Sequence, residues 1–460
     1  MRLRTLAVPA VLLACVSVGL ADKAERGPLA APPKPVVADG PADPATKKLI
    51  DDLGGDDWRA REKAGKALEA LGEKALPQMR AALLATDDPE TRQRLTVLVR
   101  KMDRARLTEP KRVTFSAKGK TAHQAYQEIA KQTGYRVEFT DGADRNAPKL
   151  ELEFESTPFW QALDAVANAA GHTVNADNGD DVVRVYSQDQ LAPYVAHAGA
   201  FRFVATNINS SRNVQLNGVS KRGGAERVNE YMNLNFMVQS EPKNPMLGTT
   251  QVELTEAKDD RGGSLLPPKE QNGYRSNYLN GGFRGHNTYA SVNLVRGDRG
   301  ATAIKSLKGR MGIVLLSGTV PEVTIADPLK VKKKDFVGRT TQLTIDSVDE
   351  DANQKGAYVV SLSARTTAEV DPNRGIDYGW SNSLWQRLEL FDAQGNRYFT
   401  YGPNTSENNG LSIRMTMAFT PQDPRTGKQN KFGPPTKLVL QEWLTVTQEV
   451  TFAFKDVPLP

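Results

Sequence analysis

The sequence predicts a multidomain protein: a small all-α unit, an α+β module of order βαββαββ, then two all-β sandwiches. Three observations predict it. Apolar residues at helical spacing with aspartate caps fill residues 46–107, and a βα unit is written twice, 37 residues apart, within 113–187. From about residue 198, short alternating strands are separated by glycine, asparagine and aspartate turns. At 460 residues the chain has room for such a series of domains.

The amino terminus comes first. Arg2 and Arg4 precede a short apolar run, Leu6 to Val18, which marks residues 1–21 as an export signal to be excluded from the fold. Two processing routes are open. Gly19-Leu20-Ala21 offers small residues to a signal peptidase, giving a mature chain from Asp22. Leu12-Leu13-Ala14-Cys15 resembles a bacterial lipobox, which implies lipidation at Cys15 and a membrane lipid anchor. Cys15 is the only cysteine, so no intramolecular disulfide can form. Residues 22–45, with Ala31-Pro32-Pro33-Lys34-Pro35 and Gly40-Pro41, are a proline- and alanine-rich spacer.

In the all-α unit, Asp57 caps a helix carrying Ala60, Ala64, Ala67, Leu68 and Leu71, ended by Gly72. A second helix spans about Lys74 to Leu84, and Asp88-Pro89-Glu90 starts a third with Leu95, Leu98, Val99 and Met102 on its apolar face. Asp57–Arg61 recurs as Asp88–Arg92, a period of 31. This resembles a pair of HEAT-type repeats, and Asp88-Pro89-Glu90-Thr91-Arg92 matches their usual second-helix start. The resemblance implies an interaction surface. Because solenoid repeats bury their faces on neighbours, so short an array is expected to pack on an adjacent domain or partner.

The α+β module covers 110–190. Val113-Thr114-Phe115 leads into a helix capped by Thr121 with Gln124 three residues on, and Gly134 ends it. The second copy runs from Leu150 to Glu155, where every glutamate takes the wet face. It continues through a helix capped by Ser156 or Thr157 and started at Pro158. Ala162, Val166, Ala167 and Gly171 repeat the spacing of Ala125, Ile129, Ala130 and Gly134, and Val182–Tyr186 closes the unit. Two helices laid over one face of a small sheet are expected. The pattern resembles the short amino-terminal (STN) domain of secretins and TonB-dependent receptors, which implies a module that docks on periplasmic partners without catalytic residues. No pore or receptor barrel is recognisable downstream, so their transport role does not carry over.

Two β-blocks follow, 198–330 and 336–460, divided by the basic run Lys330-Val331-Lys332-Lys333-Lys334. Met311–Leu315, Glu322–Ile325, Leu438–Leu440 and Val450–Phe452 are among the separate strands expected. The blocks look like copies: Met311, Ile313 and Glu322–Ile325 correspond to Leu438, Leu440 and Glu449–Phe452 at an offset of 127. Each resembles an immunoglobulin-like sandwich. The polar loops 209–231 and 262–287 are where the first would hold a ligand, the plainer reading being solvated insertions.

Thr114 stands where a phosphate loop ending in Gly119-Lys120-Thr121 needs glycine, and no G-x-G occurs. Asp349–Asn353 has the opening spacing of a calcium loop, but Gln354 and Val360 occupy its key positions, so a hairpin turn is expected. His123, His172, His197 and His286 have no second ligand at metal spacing, and His123 and His172 read as surface residues. No G-x-S-x-G elbow announces a Ser-His-Asp set, and Arg296-Gly297-Asp298 is most simply a polar turn. Tyr378, Trp380, Trp385 and Tyr401, close to Asn382, Asn404 and Asn408, are candidates for holding a sugar, against the reading that they fill or cap the sandwich core.

Lys and Arg outnumber Asp and Glu by 60 to 54, a formal +6 that falls to about +4 without Arg2 and Arg4. So small an excess points to no nucleic acid and only weakly to an acidic envelope polymer or lipid. The expectation is an exported protein of the periplasm or cell envelope, non-catalytic and without cofactor or metal, acting as a scaffold or interaction module for envelope proteins. The alternative is a carbohydrate- or cell-wall-binding protein using the aromatic cluster of the second sandwich.

Overall fold

The computed structural model describes residues 43–139, 149–177, 181–187, 192–215, 227–269, 280–367, 378–424 and 426–460. Residues 1–21, with Cys15, and the spacer up to residue 42 lie outside the described residues, as do parts of the two polar loops. A helical amino-terminal part is followed by mostly antiparallel β-sheets.

Four helices open the described chain: α1 (Pro44–Leu53), α2 (Trp58–Leu71), α3 (Leu76–Ala85) and α4 (Pro89–Thr108). Local chemistry sets their starts. Asp43, Asp57 and Asp88 each accept backbone N–H groups of the first turn, which would otherwise lack partners. Helix α1 corrects the expected spacer boundary, because Asp43-Pro44 is a cap followed by proline at the first helical position. Ile50, Leu53, Leu68, Met79 and Leu95 form the helical core. The unit also docks on its own chain. Leu107 enters the core of the first sandwich, and Arg80 and Arg106 both donate to the Ser317 carbonyl, at 2.7 and 3.0 Å. Asp103, buried beside them, pairs with both guanidinium groups.

The α+β module has the expected order: β1 (Arg112–Ser116), α5 (Ala122–Thr133), β2 (Arg136–Phe139), β3 (Glu153–Pro158), α6 (Phe159–Ala170), β4 (Thr173–Ala176) and β5 (Val182–Tyr186). Thr121 and Gln124 make the reciprocal capping box, and Gly134 and Gly171 end the two helices at φ 74° and 71°. The single sheet expected here is two. β1 and β3 form an antiparallel ribbon, while β2 runs parallel to β5, which pairs antiparallel with β4. The cause lies in α6, where Phe159, Trp160, Ala162, Leu163, Val166 and Ala167 are all buried. A helix apolar on more than one side needs cover on more than one side, and both sheets share one core with the helix pair. Pro158 takes the cap position of α6 in place of Ser156 or Thr157, and the Phe159 N–H is met by the Lys111 carbonyl.

The β-region contains β6 (Val195–Ala198), β7 (Phe201–Gln215), β8 (Arg227–Ser240), β9 (Met246–Thr249), β10 (Glu253–Asp259), β11 (Asn280–Gly285), β12 (Asn287–Leu294) and β13 (Ala303–Ala326). After it come β14 (Lys334–Val337), β15 (Thr341–Glu350), β16 (Tyr358–Thr366), α7 (Gly379–Arg387), β17 (Leu388–Asp392), β18 (Phe399–Asn408), β19 (Ser412–Thr420) and β20 (Pro435–Pro458). Sheets β12-β8-β7-β6 and β14-β15-β16-β19-β18 each cover one core. A third sheet, β11-β9-β13-β20-β17 with β10 on β13, serves both.

This sharing changes the picture of two tandem sandwiches. β13 and β20 are single strands of 24 residues, on the order of 80 Å each at about 3.3 Å per residue, paired antiparallel along almost their whole length. The separate short strands expected at 311–315 and 322–325, and at 438–440 and 450–452, are their two halves. Gly318 and Pro321 sit beside bulges that let the ribbon continue. Met311 and Ile313 of β13 lie in the first core, Val323 and Ile325 in the second; on β20, Leu438 and Leu440 lie in the second core, Val450, Phe452 and Phe454 in the first. Each block therefore ends in a strand whose second half completes the other block's sandwich. The offset of 127 aligns residues that occupy opposite cores.

Candidate functional site

The aromatic residues singled out from the sequence do not form one platform. Trp380 and Trp385 lie on α7 and pack, half-buried, against the second core; the Trp380 indole N–H donates to Thr341 Oγ1 at 3.4 Å. Tyr378 is exposed at the start of that helix. Asn382 and Asn408 are hydrogen-bonded at this end of the sheet, at 3.2 Å. Tyr401 is 62% exposed but lies between Thr400 and Pro403, opposite Phe419 and Met417, seven residues back along β18 from Asn408. That is roughly 23 Å of strand, too far for one sugar ring to touch both ends.

The densest gathering of polar chemistry lies elsewhere, where the α+β module meets the first sandwich. Its hub is Gln239-Ser240-Glu241 at the end of β8, three consecutive residues with no exposed surface. Each reaches a different element. The Gln239 amide donates to Asn175 of β4 and its oxygen accepts from Arg202 Nη1 at 2.5 Å. Arg202, on β7 between core residues Phe201 and Phe203, forks onto Asp164 of α6, with Nε at 2.9 Å from Oδ2 and Nη2 at 2.8 Å from Oδ1. Trp160 lies 5.7 Å from that guanidinium and His197 donates to Asp164 at 2.7 Å. Burial works against the Asp164 charge, but Arg202 and His197 together hold its carboxyl below the ordinary range.

Glu241 has no such counter-ion at its carboxylate. It accepts from Tyr135 Oη at 2.9 Å and from the Lys111 N–H at 3.1 Å, both on one oxygen, while Oε1 is buried without a partner. Burial pushes its pKa up to about 7, and burial, with the nearby Glu241 carboxylate, pushes the Tyr135 phenol far above its usual range.

Ser240 completes a third set. Its hydroxyl lies 3.3 Å from His286 Nδ1, and His286 Nε2 lies 2.9 Å from Asp181 Oδ1. These are the residue types of a hydrolytic triad, drawn from distant parts of the chain. Accessibility runs the wrong way for one. The hydroxyl that would attack is sealed and the histidine side chain is 5% exposed, whereas the carboxylate, buried in a working triad, is 46% exposed. The set ties the loop before β5 to the β8–β12 edge, helped by Asn287, which donates to the Ala176 carbonyl at 2.9 Å.

One sequence expectation needs correction here. His172 is buried, stacked on Tyr126, not a surface residue. Asp164, Arg202 and Glu241 were missed; Asp164 inside the apolar run Leu163–Val166 and Arg202 between two phenylalanines were the available signals. The Asp349–Asn353 segment forms the β15–β16 hairpin, with Asp351 accepting the Asn353 N–H and Gly356 at φ 75°. Among the described residues no group of three or more histidine, cysteine or carboxylate side chains is placed to hold a metal, and no helix is long and apolar enough to cross a membrane.

No family model matches the chain, and no curated protein matches it. A solved structure, that of the conserved domain protein from Bacillus anthracis, is similar over 56% of this chain and 88% of that one, at 10% identity and a TM-score of 0.15. A score that low carries no argument about fold or function.

Proposed function

We propose that this is a non-catalytic exported protein of the periplasm or cell envelope, acting as a scaffold or interaction module for envelope proteins. On this reading residues 46–107 are a HEAT-like unit, 110–190 an STN-like module, and the β-region a pair of immunoglobulin-like sandwiches joined by their exchanged strands. One observation carries it: the richest polar cluster of the described chain is engaged in joining modules. Gln239, Ser240 and Glu241 are buried and their partners lie on other elements. Buried, hydrogen-bonded networks of this kind hold elements in one arrangement, which suits a protein that presents surfaces in fixed relation.

The test is crosslinking in intact envelopes followed by identification of neighbours. A small reproducible set of envelope proteins, reduced by Arg202→Met at equal expression, is the expected result. No neighbours above the level of an unrelated exported protein would count against the reading, as would covalent labelling of Ser240 by a serine-reactive probe. Acyl labelling of parent and Cys15→Ala decides the attachment: label lost in the variant supports lipidation, label retained excludes it.

A further inference from the structure

The two outer faces of the first sandwich differ in chemistry. On the shared sheet, exposed positions carry ion pairs: Arg310 with Glu253 at 2.9 Å, Lys308 with Glu256 at 3.1 Å, Lys305 with Asp456 at 2.7 Å. Beyond the Arg202 row, which the α+β module covers, the described residues of the opposite face carry none. Strand register sets Ser291 of β12 beside Asn235 of β8 and Asn207 of β7, and sets Asn293 beside Asn233 and Asn209. The rows on either side begin at Tyr289 opposite Met237 and at Tyr231 opposite Ser211. Four successive rows are thus free of charge in a chain with 25% charged residues.

Solubility alone does not explain this choice. Asparagine is depleted in strands, and threonine or a cross-strand ion pair would serve an exposed sheet face better. The amides are also incompletely used. Asn235 Nδ2 donates to Asn207 Oδ1 at 2.6 Å, which leaves the Asn207 NH₂ and the Asn235 oxygen for another partner. Beside the bulge between Ala205 and Asn207, Thr206, Asn207, Asn235 and Tyr289 line a shallow, open depression. Tyr289 is 65% exposed beside it.

We propose that this face binds a neutral polysaccharide. The C–H face of a sugar ring stacks on Tyr289, and its hydroxyls, each both donor and acceptor, pair with amides that are likewise both. The lack of cations disfavours phosphate or uronate polymers, which need charge neutralisation. The lack of a central apolar anchor disfavours a protein partner. This goes beyond the scaffold reading and places sugar binding on the first sandwich, away from Trp380 and Trp385.

The test is affinity electrophoresis of the full chain in gels containing dextran, mannan, laminarin or xyloglucan, with polygalacturonate as an acidic control. Retardation by at least one neutral polymer is expected, insensitive to salt. Tyr289→Ala and Ser291→Glu, both at exposed positions, should weaken it by about tenfold with the unfolding midpoint unchanged. Trp385→Ala should leave it intact. The proposal is overturned by no retardation in any neutral gel, by retardation undiminished in both face variants, or by equal retardation in polygalacturonate.

Discussion

Phe452 lies near the end of the chain, yet its ring stacks on Phe203 at 4.9 Å and meets Phe236 at 5.0 Å, both in the first sandwich. Phe452→Ala removes a side chain with 2% exposure from the packed core, at a cost of about 3–5 kcal/mol. Hydrogen exchange read by mass spectrometry localises that cost. If the first sandwich opens as a unit, the slowest amides of β7, β8 and β12 should exchange faster by roughly two to three and a half orders of magnitude. Leu440→Ala, only twelve residues earlier on the same strand, should instead act on β15, β16 and β19, whose core it shares. Acceleration confined to β15, β16 and β19 in Phe452→Ala would refute the exchanged-strand arrangement.

Three further outcomes follow from buried charge. Glu241 titrates near 7 in the fold against its ordinary 4.5, so the folded chain binds its proton more tightly than the unfolded chain. Its contribution to stability is greatest at acid pH and is lost as pH rises from about 4.5 to 7, by roughly 3 kcal/mol; Glu241→Gln should remove that slope from thermal unfolding measured across the window. Arg202→Met leaves Asp164 buried and reduced to His197 as its charge partner, and should cost about 3–5 kcal/mol in denaturant titration at neutral pH. Arg387→Met should cost a similar ~3–5 kcal/mol, since the Glu322 carboxylate it pairs with at 2.8 Å has no exposed surface; an unchanged midpoint would show that Thr340 and Thr341 suffice to hold that carboxylate.

Much of the helical part was legible because its causes are local. Asp57, Asp88 and Thr121 cap the helices they were expected to cap, and Gly134 and Gly171 end theirs, since a cap acts within a turn of its own position. The duplicated βα unit was legible as an order of elements, not as a sheet count, because periodicity shows that a side chain is buried and not what buries it. The same limit hid the strand exchange. Met311 and Val323 both read as core, and only pairing across more than a hundred residues assigns them to different cores. The polar junction failed for a related reason: Ser240, His286 and Asp181 share no local pattern. Sequence proximity also misled, since Tyr401 follows Trp385 closely in the chain but sits at the other end of its sheet.

The interlocked sandwiches are tested most directly by cutting between them. Lys332 and Lys333 are exposed in the segment joining β13 to β14, and a protease site inserted there would divide the chain with β13 on one fragment and β20 on the other. Size-exclusion chromatography under native conditions should then return both fragments in a single peak that separates only in denaturant. Two folded fragments eluting apart without denaturant would contradict the account.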